Sequence, residues 1–226
     1  MKRRPKAVAL DVIGTLFRIQ PLDGKLQKIG LAPSSLEIWL PRVLRDAFGL
    51  ESAGAFESFP TIASGTLAGL MSERGLEPDD SAIAQVIESI AELPAFPDVE
   101  PGLRAIRSAE LRVAVLTNGT QSTTKKMLQH AGLGDLIDEV ISVDDVRHWK
   151  PNSAVYLHAA GVLKVAPDEL ALIAAHDWDI DGASRAGLTT GYIARKQPRC
   201  SSAMRQPDVS GADLTEVVEQ LLALPV

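Results

Sequence analysis

Cysteine is nearly absent from this chain of 226 residues, which contains Cys200 alone. A single cysteine cannot form an intrachain disulfide, a CxxC redox site or a cysteine metal cluster, and it fits a reducing compartment. No apolar run approaches the roughly 20 residues needed to span a bilayer. Only residues 7–10 separate the basic N-terminus from Asp11, too few for the core of a signal peptide. We therefore predict a cytoplasmic protein.

The chain also lacks an excess of positive charge. Its 23 basic and 29 acidic side chains give a formal net charge of -6, which repels phosphate backbones and anionic lipid surfaces. We therefore expect neither nucleic acid nor a membrane as a partner. Internal repeats and low-complexity segments are missing too, which excludes solenoid and fibrous architectures.

Short apolar runs rich in β-branched residues alternate with helical patterns, which is typical of buried parallel strands joined by crossover helices. The runs predict strands at residues 7–11, 112–117, 139–142, 170–175 and 190–193. The helical patterns cover residues 102–109, 123–131, 153–161, 181–186 and 213–224. This order predicts an α/β fold with a Rossmann-like parallel sheet flanked by helices, whose ligands bind beyond the carboxyl ends of the strands.

Residues 21–97 interrupt the alternation and contain no convincing strand. Their pattern predicts helices at residues 34–49, 57–75 and 80–93. We expect these helices to form a small cap inserted after the first strand, with Pro94 and Pro97 marking the return. The predicted division is a core of residues 1–18 and 97–226 and a helical cap of residues 19–96.

Four polar segments follow predicted strands, and the first two have both a structural and a chemical interpretation. Asp11 precedes Gly14, which permits a tight turn, and Thr15, whose hydroxyl can orient a carboxylate. Taken alone, Asp11 is explained better as a turn residue than as a catalytic group. Thr117 and Asn118 predict either an anion cradle or a simple Asn-Gly turn.

The third segment contains Lys150 and Pro151. Pro151 can begin a helix, which leaves Lys150 in the preceding loop and free to stabilise a carboxylate, although an isolated lysine is usually a surface residue. In the fourth segment, His176 could act as a base, act as a hydrogen-bond donor or simply be a polar residue whose hydrogen bonds are satisfied within the protein. The same segment contains three carboxylates, Asp177, Asp179 and Asp181. They are explained either as caps at the start of a helix or as residues of the site.

Taken together and in this order, the segments resemble the signature of the haloacid dehalogenase superfamily. The likeness is greatest to its L-2-haloacid dehalogenases (type II), and it spans the chain apart from the cap. The matching segments are DVIGTLF from Asp11, LTNG from Leu116, Lys150-Pro151 with Tyr156, and Trp178-Asp179 with Gly182-Ala183.

The resemblance implies a hydrolase that forms an aspartyl ester and needs no cofactor. Asp11 would attack an electrophilic carbon, and water would then hydrolyse the ester. Thr15 would orient Asp11 and Lys150 would stabilise it, while Asp179 would position Lys150 or the water. A small anionic 2-substituted carboxylic acid would contact the remaining implied residues, which are Thr117, Asn118, Tyr156, His176, Trp178 and Arg42.

A phosphatase of the same superfamily is the alternative interpretation of the chain. Two positions distinguish the chain from those phosphatases. Ile13 stands where those enzymes have the aspartate that protonates the leaving alcohol, and isoleucine cannot transfer a proton. Ala175 stands where they have an acidic magnesium ligand. For a dehalogenase we therefore expect no metal. Magnesium would be needed only if the chain is instead a phosphatase with an altered acid step. A non-catalytic ligand-binding protein is the third interpretation.

The chain also departs from the dehalogenase pattern. Ala174 and His176 replace a serine and an asparagine of the fourth motif. The cap arginine that usually follows a tryptophan is missing, since Leu40 follows Trp39. A guanidinium suits a carboxylate, and the displaced candidates are Arg42 and Arg45. The sequence leaves open the substrate and whether the chain forms a homodimer.

Overall fold

The computed structural model describes residues 2–225. One sheet of parallel strands runs in the order β3-β2-β1-β4-β5-β6. The strands are β1 Ala7–Leu10, β2 Arg112–Thr117, β3 Glu139–Ser142, β4 Leu170–Ala174, β5 Thr189–Ile193 and β6 Val209–Gly211. The predicted parallel sheet is confirmed, and β6 is a short additional strand that the sequence pattern did not indicate.

The central strands β1 and β4 are buried along their whole length. Successive strand residues point to opposite faces of a sheet, so each strand contributes to two apolar clusters. In β1, Val8 and Leu10 belong to the cluster that continues into the cap, whereas Ala7 and Ala9 face the cluster around Tyr156. Burial on both faces explains why these strands appear in the sequence as continuous apolar runs.

Nine α-helices occur in residues 2–225. Four of them follow β1 and form the cap: α1 Pro21–Lys28, α2 Leu36–Ser52, α3 Phe59–Glu73 and α4 Asp80–Glu88. Five flank the sheet: α5 Val99–Ser108, α6 Gln121–His130, α7 Ser153–Leu163, α8 Asp177–Arg185 and α9 Leu214–Leu222. The predicted helical cap after the first strand is confirmed, while its boundaries at 18/19 and 96/97 stay predictions.

Several predicted boundaries are wrong by a few residues. Helix α1 was not predicted, because it is short and contains Gly24, a weak helix former. Helix α8 begins at Asp177, four residues before the predicted start, with Asp177 and Asp179 in its first turn. Strands β1 and β4 each end one residue early, so Asp11 and Ala175 lie just beyond the sheet.

The two segments that connect cap and core pair with each other. The backbone N–H of Arg18 donates to the oxygen of Pro94, and that of Phe96 donates to the oxygen of Leu16, both at 2.9 Å. This pairing holds the cap over the carboxyl edge of the sheet. Among residues 2–225, no helix combines the length and apolar character needed to cross a membrane. Cytoplasmic location stays a prediction.

Candidate active site

The predicted catalytic residues converge at the carboxyl edge of the sheet, where ligands bind in doubly wound folds. Asp11 directly follows β1, and Thr117 and Asn118 lie at the end of β2. Lys150 lies in the loop before α7, and Asp179 is in the first turn of α8. Separate chain segments therefore meet around one carboxylate.

Both carboxylate oxygens of Asp11 accept hydrogen bonds. Lys150 Nζ donates to Oδ1 at 2.9 Å, and the Thr15 hydroxyl donates to Oδ2 at 2.6 Å. The Thr15 oxygen in turn accepts the backbone N–H of Ala175 at 2.9 Å, which leaves its proton directed at Asp11. The Asp11 side chain is 8% exposed, so it is shielded from bulk water but open to a ligand.

Lys150 bridges two carboxylates. Its Nζ also donates to Asp179 Oδ2 at 2.9 Å, and neither Lys150 nor Asp179 is exposed. The Tyr156 hydroxyl donates to Asp179 Oδ1 at 2.6 Å. A buried charge is costly unless paired and hydrogen-bonded, so each member of this cluster depends on the others.

Gly182 permits the contact between Tyr156 and Asp179. Helix α8 packs so closely against the start of α7 that a Cβ on Gly182 would lie 2.5 Å from Pro151 Cβ and 2.7 Å from the Tyr156 hydroxyl. A side chain at this position would push Tyr156 away from Asp179. The glycine of the fourth motif therefore has a packing role.

The charges around Lys150 set the protonation states of the cluster. Burial has the largest single effect and opposes the ionisation of Asp11, but Lys150, His176 and Thr15 together hold the pKa of Asp11 below its ordinary value. Burial raises the pKa of Asp179 against the opposing charge of Lys150. Burial disfavours the charged form of Lys150, yet the two carboxylates raise its pKa. At neutral pH, Asp11 is an ionised carboxylate beside a charged lysine.

Asp11 opens onto a cavity of about 300 Å³ between the sheet edge and the cap. At ~30 Å³ per water molecule, this space equals about ten waters, which is enough for a small organic acid. The wall is largely apolar and includes Ile13, Ile19, Leu36, Leu40, Val43, Leu44, Phe59, Trp149 and Trp178. An apolar wall strengthens every electrostatic interaction that a bound ligand makes.

Thr117 and Asn118 contribute polar groups to the cavity wall. The Asn118 side-chain oxygen accepts the backbone N–H of Lys150 at 3.2 Å, so this contact fixes which end of the carboxamide is oxygen. The amide Nδ2 makes no hydrogen bond within the described part of the chain and retains its donors for a ligand. Thr117 Oγ1 accepts the Gly119 N–H at 2.9 Å.

His176 lies against the turn that follows Asp11. Its Nε2 is 3.0 Å from the backbone oxygen of Ile13 and 3.6 Å from Asp11 Oδ2. A carbonyl oxygen only accepts hydrogen bonds, so Nε2 carries a proton in this geometry. Gly14, with φ of 83°, makes room for the ring, since a Cβ there would lie 3.0 Å from His176 Cε1. Of the roles considered for His176, the geometry favours a hydrogen-bond donor.

Two predicted substrate contacts lie elsewhere. Arg42 is absent from the cavity wall and pairs with Glu73 at 2.7 Å. Leu40 and Leu44 of α2 face the cavity, and at about 100° per residue Arg42 points to the opposite side of the helix. Tyr156 was expected to line the pocket but lies beneath it, where it is buried against Asp179. The alternative cap residue, Arg45, is exposed and bonds to Asp46.

Lys196, a cation on the cavity wall, was not predicted from the sequence. Its Nζ is 3.4 Å from Glu37 Oε1 of α2, and both side chains are largely exposed. The available signal was its position, because Lys196 follows β5 and therefore lies at the same edge of the sheet as Asp11. A single charged residue after a strand is too common to be singled out from sequence.

The remaining acidic residues of the fourth motif are engaged by protein groups. Asp177 accepts the backbone N–H groups of Trp178 and Ser201, and Asp181 pairs with Arg185 at 2.7 Å. These contacts favour the structural interpretation of both carboxylates. Within residues 2–225, no group of three or more histidine, cysteine, aspartate or glutamate side chains is arranged to hold a metal ion.

Comparisons with known proteins agree with the motifs. A family model for haloacid dehalogenase-like hydrolases matches residues 5–187. An (S)-2-haloacid dehalogenase of Xanthobacter autotrophicus is 30% identical over 84% of this chain and 75% of its own length. (S)-2-haloacid dehalogenase 1 of Pseudomonas sp. (strain CBS-3) is 28% identical over 97% of both chains. A crystal structure of an L-2-haloacid dehalogenase matches with a TM-score of 0.91 at 26% identity, covering 97% of this chain and 99% of that one. The predicted family resemblance is confirmed.

Proposed function

Because the chain belongs to the haloacid dehalogenase-like hydrolases, and among them to the (S)-2-haloacid dehalogenases, we propose that it hydrolyses the carbon–halogen bond of a small 2-haloacid. The observation that carries this proposal is the Asp11–Lys150–Asp179 cluster at the wall of an apolar cavity. Ile13, which also lines the cavity, supports attack on carbon, because a halide leaves without the proton that an alcohol requires.

The reaction has two steps. In the first, a lone pair of the Asp11 carboxylate attacks C2 of the substrate, and the halide leaves with the electron pair of its bond. In the second, water attacks Cγ of the resulting aspartyl ester and the acyl C–O bond breaks. The products are the 2-hydroxy acid and a proton, and the carboxylate is restored.

The surrounding residues fit these steps. Lys150 holds the Asp11 carboxylate ionised before attack and offsets the negative charge that develops during ester hydrolysis. His176 Nε2 donates its proton to the backbone oxygen of Ile13 and lies 3.6 Å from Asp11 Oδ2, so it holds the turn that carries the nucleophile. Asn118 Nδ2 and the Thr117 side chain provide polar contacts for the substrate carboxylate or the departing halide, and Trp178 contributes apolar wall.

The proposal is tested by halide release. We expect the protein to release halide from 2-chloropropionate or 2-bromo acids, equally with and without a chelator. No release from any of these compounds would rule out dehalogenation. Magnesium-dependent release of phosphate from a panel of phosphate esters would favour the phosphatase alternative instead.

We propose that Lys196 is the cation that attracts the substrate carboxylate to the cavity. Lys150 is already shared by two carboxylates, whereas Lys196 has one exposed partner, Glu37. We predict that Lys196→Met raises KM about 5-fold at low salt, equivalent to about 1 kcal/mol, with little change in kcat. The measurement is initial rate against substrate concentration at several ionic strengths, and salt screening should shrink the difference.

A matched control for this variant is Lys25→Met. Lys25 forms a similar exposed ion pair with Glu92, also at 3.4 Å, but does not line the cavity. We expect Lys25→Met to leave KM unchanged. Equal KM values for the Lys196 variant and the wild type at low salt would contradict the proposed role.

A further inference from the structure

We propose that Glu51, in the last turn of cap helix α2, is a positioning residue that fixes the loop carrying Lys150 against the cap. This inference rests on the proposed function, because the position of Lys150 matters to activity only if Asp11 reacts. The contact joins two parts of the site, since α2 supplies a wall of the cavity and the loop supplies the lysine.

The Glu51 carboxylate accepts three hydrogen bonds from one short segment of the core. Its Oε2 accepts the backbone N–H of Trp149 at 2.8 Å. Its Oε1 accepts from His148 Nδ1 at 2.9 Å and from Asn152 Nδ2 at 2.6 Å. Lys150 lies between these donors, so the carboxylate spans the residues on either side of it.

Glu51 occupies a position that is unfavourable for an acidic side chain. The C-terminal end of a helix carries partial negative charge, which disfavours a carboxylate there. The side chain is 18% exposed, so it also loses much of its hydration. Burial opposes its ionisation, but hydrogen bonds from His148, Trp149 and Asn152 hold the pKa of Glu51 below its ordinary value. Contacts with the loop therefore outweigh the cost of this position.

The loop makes further contacts with both the core and the cap. The backbone N–H of Lys150 donates to Asn118 on the core, and the Trp149 indole donates to the backbone oxygen of Glu57 on the cap at 3.0 Å. Asn152 uses its side-chain oxygen to accept the Ala154 N–H and so caps α7. These contacts fix the backbone of Lys150 between core and cap. Lys150 Nζ is therefore held within hydrogen-bond distance of Asp11.

Without Glu51, the loop keeps its ties to Asn118 and to the Glu57 backbone but loses three contacts to the cap. A displacement of about 1 Å at a reacting centre can cost about 100-fold in rate. We therefore expect Glu51→Ala to lower kcat about 10- to 100-fold, with KM changing less than about 3-fold. The acid limb of kcat/KM should move to higher pH, because a displaced Lys150 lowers the pKa of Asp11 less. The charged or titratable groups around Asp11 are Lys150, His176, Asp179 and Tyr156.

The experiment compares Glu51→Ala with two further variants. Glu51→Gln keeps the length and one acceptor oxygen and should recover part of the lost kcat. Glu73→Ala removes a cap carboxylate whose partner, Arg42, lies outside the cavity, and it should leave kcat and the acid limb unchanged. Thermal unfolding establishes that each variant is folded.

Amide hydrogen exchange provides a readout that does not depend on activity. The Trp149 amide, which donates to Glu51, should exchange about tenfold faster or more in Glu51→Ala than in the wild type and Glu73→Ala. Faster exchange in a protein without halide release would support the positioning contact and leave only the proposed function in error. Wild-type exchange, or a folded Glu51→Ala variant with wild-type kcat and acid limb, would overturn the inference.

Discussion

Replacing Asp11 by asparagine is expected to lower halide release by about 10⁴-fold or more, the range in which the loss of a covalent nucleophile falls. The amide has nearly the shape of the carboxylate but lacks the negatively charged oxygen that attacks C2. The fold should persist, because Lys150 keeps Asp179 as its partner. The measurement is halide release under saturating substrate, together with a melting curve.

Two additional measurements make this result specific to the ester route. Single turnover of the wild-type protein in ¹⁸O-water should place the label in the Asp11 carboxylate, because water attacks Cγ in the second step. Asp11→Ala guards against slow conversion of the asparagine back to aspartate, which mass spectrometry of the variant also detects. Turnover in a variant verified by mass, or the absence of label from Asp11, would exclude Asp11 as nucleophile.

Replacing Lys150 by methionine is expected to impair both stability and catalysis. Breaking a buried ion pair by removing one partner typically costs about 3–5 kcal/mol, and here two carboxylates lose their shared cation. Loss of a charge-stabilising group lowers kcat by about 10²- to 10³-fold. Denaturant unfolding and initial rates at neutral pH measure the two effects.

The pH dependence of the Lys150→Met variant has a defined sign. Lys150 lowers the pKa of Asp11, so its removal raises that pKa. The acid limb of kcat/KM, which reports the free enzyme, should therefore lie at higher pH than in the wild type. The loss of stability should shrink as pH falls, because one of the two unpaired carboxyls then takes up a proton.

A double variant separates the two contributions of Lys150. Adding Asp179→Asn to Lys150→Met removes one of the two uncompensated carboxylates. This change should recover part of the stability without restoring kcat. Recovery of activity alongside stability would show that Lys150 acts only on the fold.

The main features of the site could be predicted because strand ends converge. Each polar segment was weak evidence alone, but parallel strands deliver their carboxyl ends to one edge of a sheet. Asp11, Thr15, Lys150 and Asp179 do meet there. The convergence of the segments follows from chain order and the apolar runs of the strands, whereas the choice of Asp179 among three neighbouring carboxylates follows from the family resemblance.

The cap residues could not be predicted in the same way. Which side of α2 faces the cavity depends on how the helix packs, and the sequence did not reveal that Leu40 and Arg42 lie on opposite sides. Glu51 also belongs to none of the sequence motifs. Its single sequence signal is an acidic residue near the end of a predicted helix, where the helix dipole disfavours it, and only tertiary contacts explain why it is there.

Ile13 has a consequence for the direction of the reaction. A halide is a stable anion and can depart without help, whereas hydroxide is a poor leaving group unless it is protonated. With isoleucine at the position of the leaving-group acid, no proton donor there can turn the product hydroxyl into a leaving group, so the 2-hydroxy acid does not alkylate Asp11 through its C2–O bond. The reverse of ester hydrolysis would instead require the product hydroxyl to attack Cγ of the ionised Asp11 carboxylate, which is a poor electrophile. Both routes from the product back to the ester are therefore disfavoured.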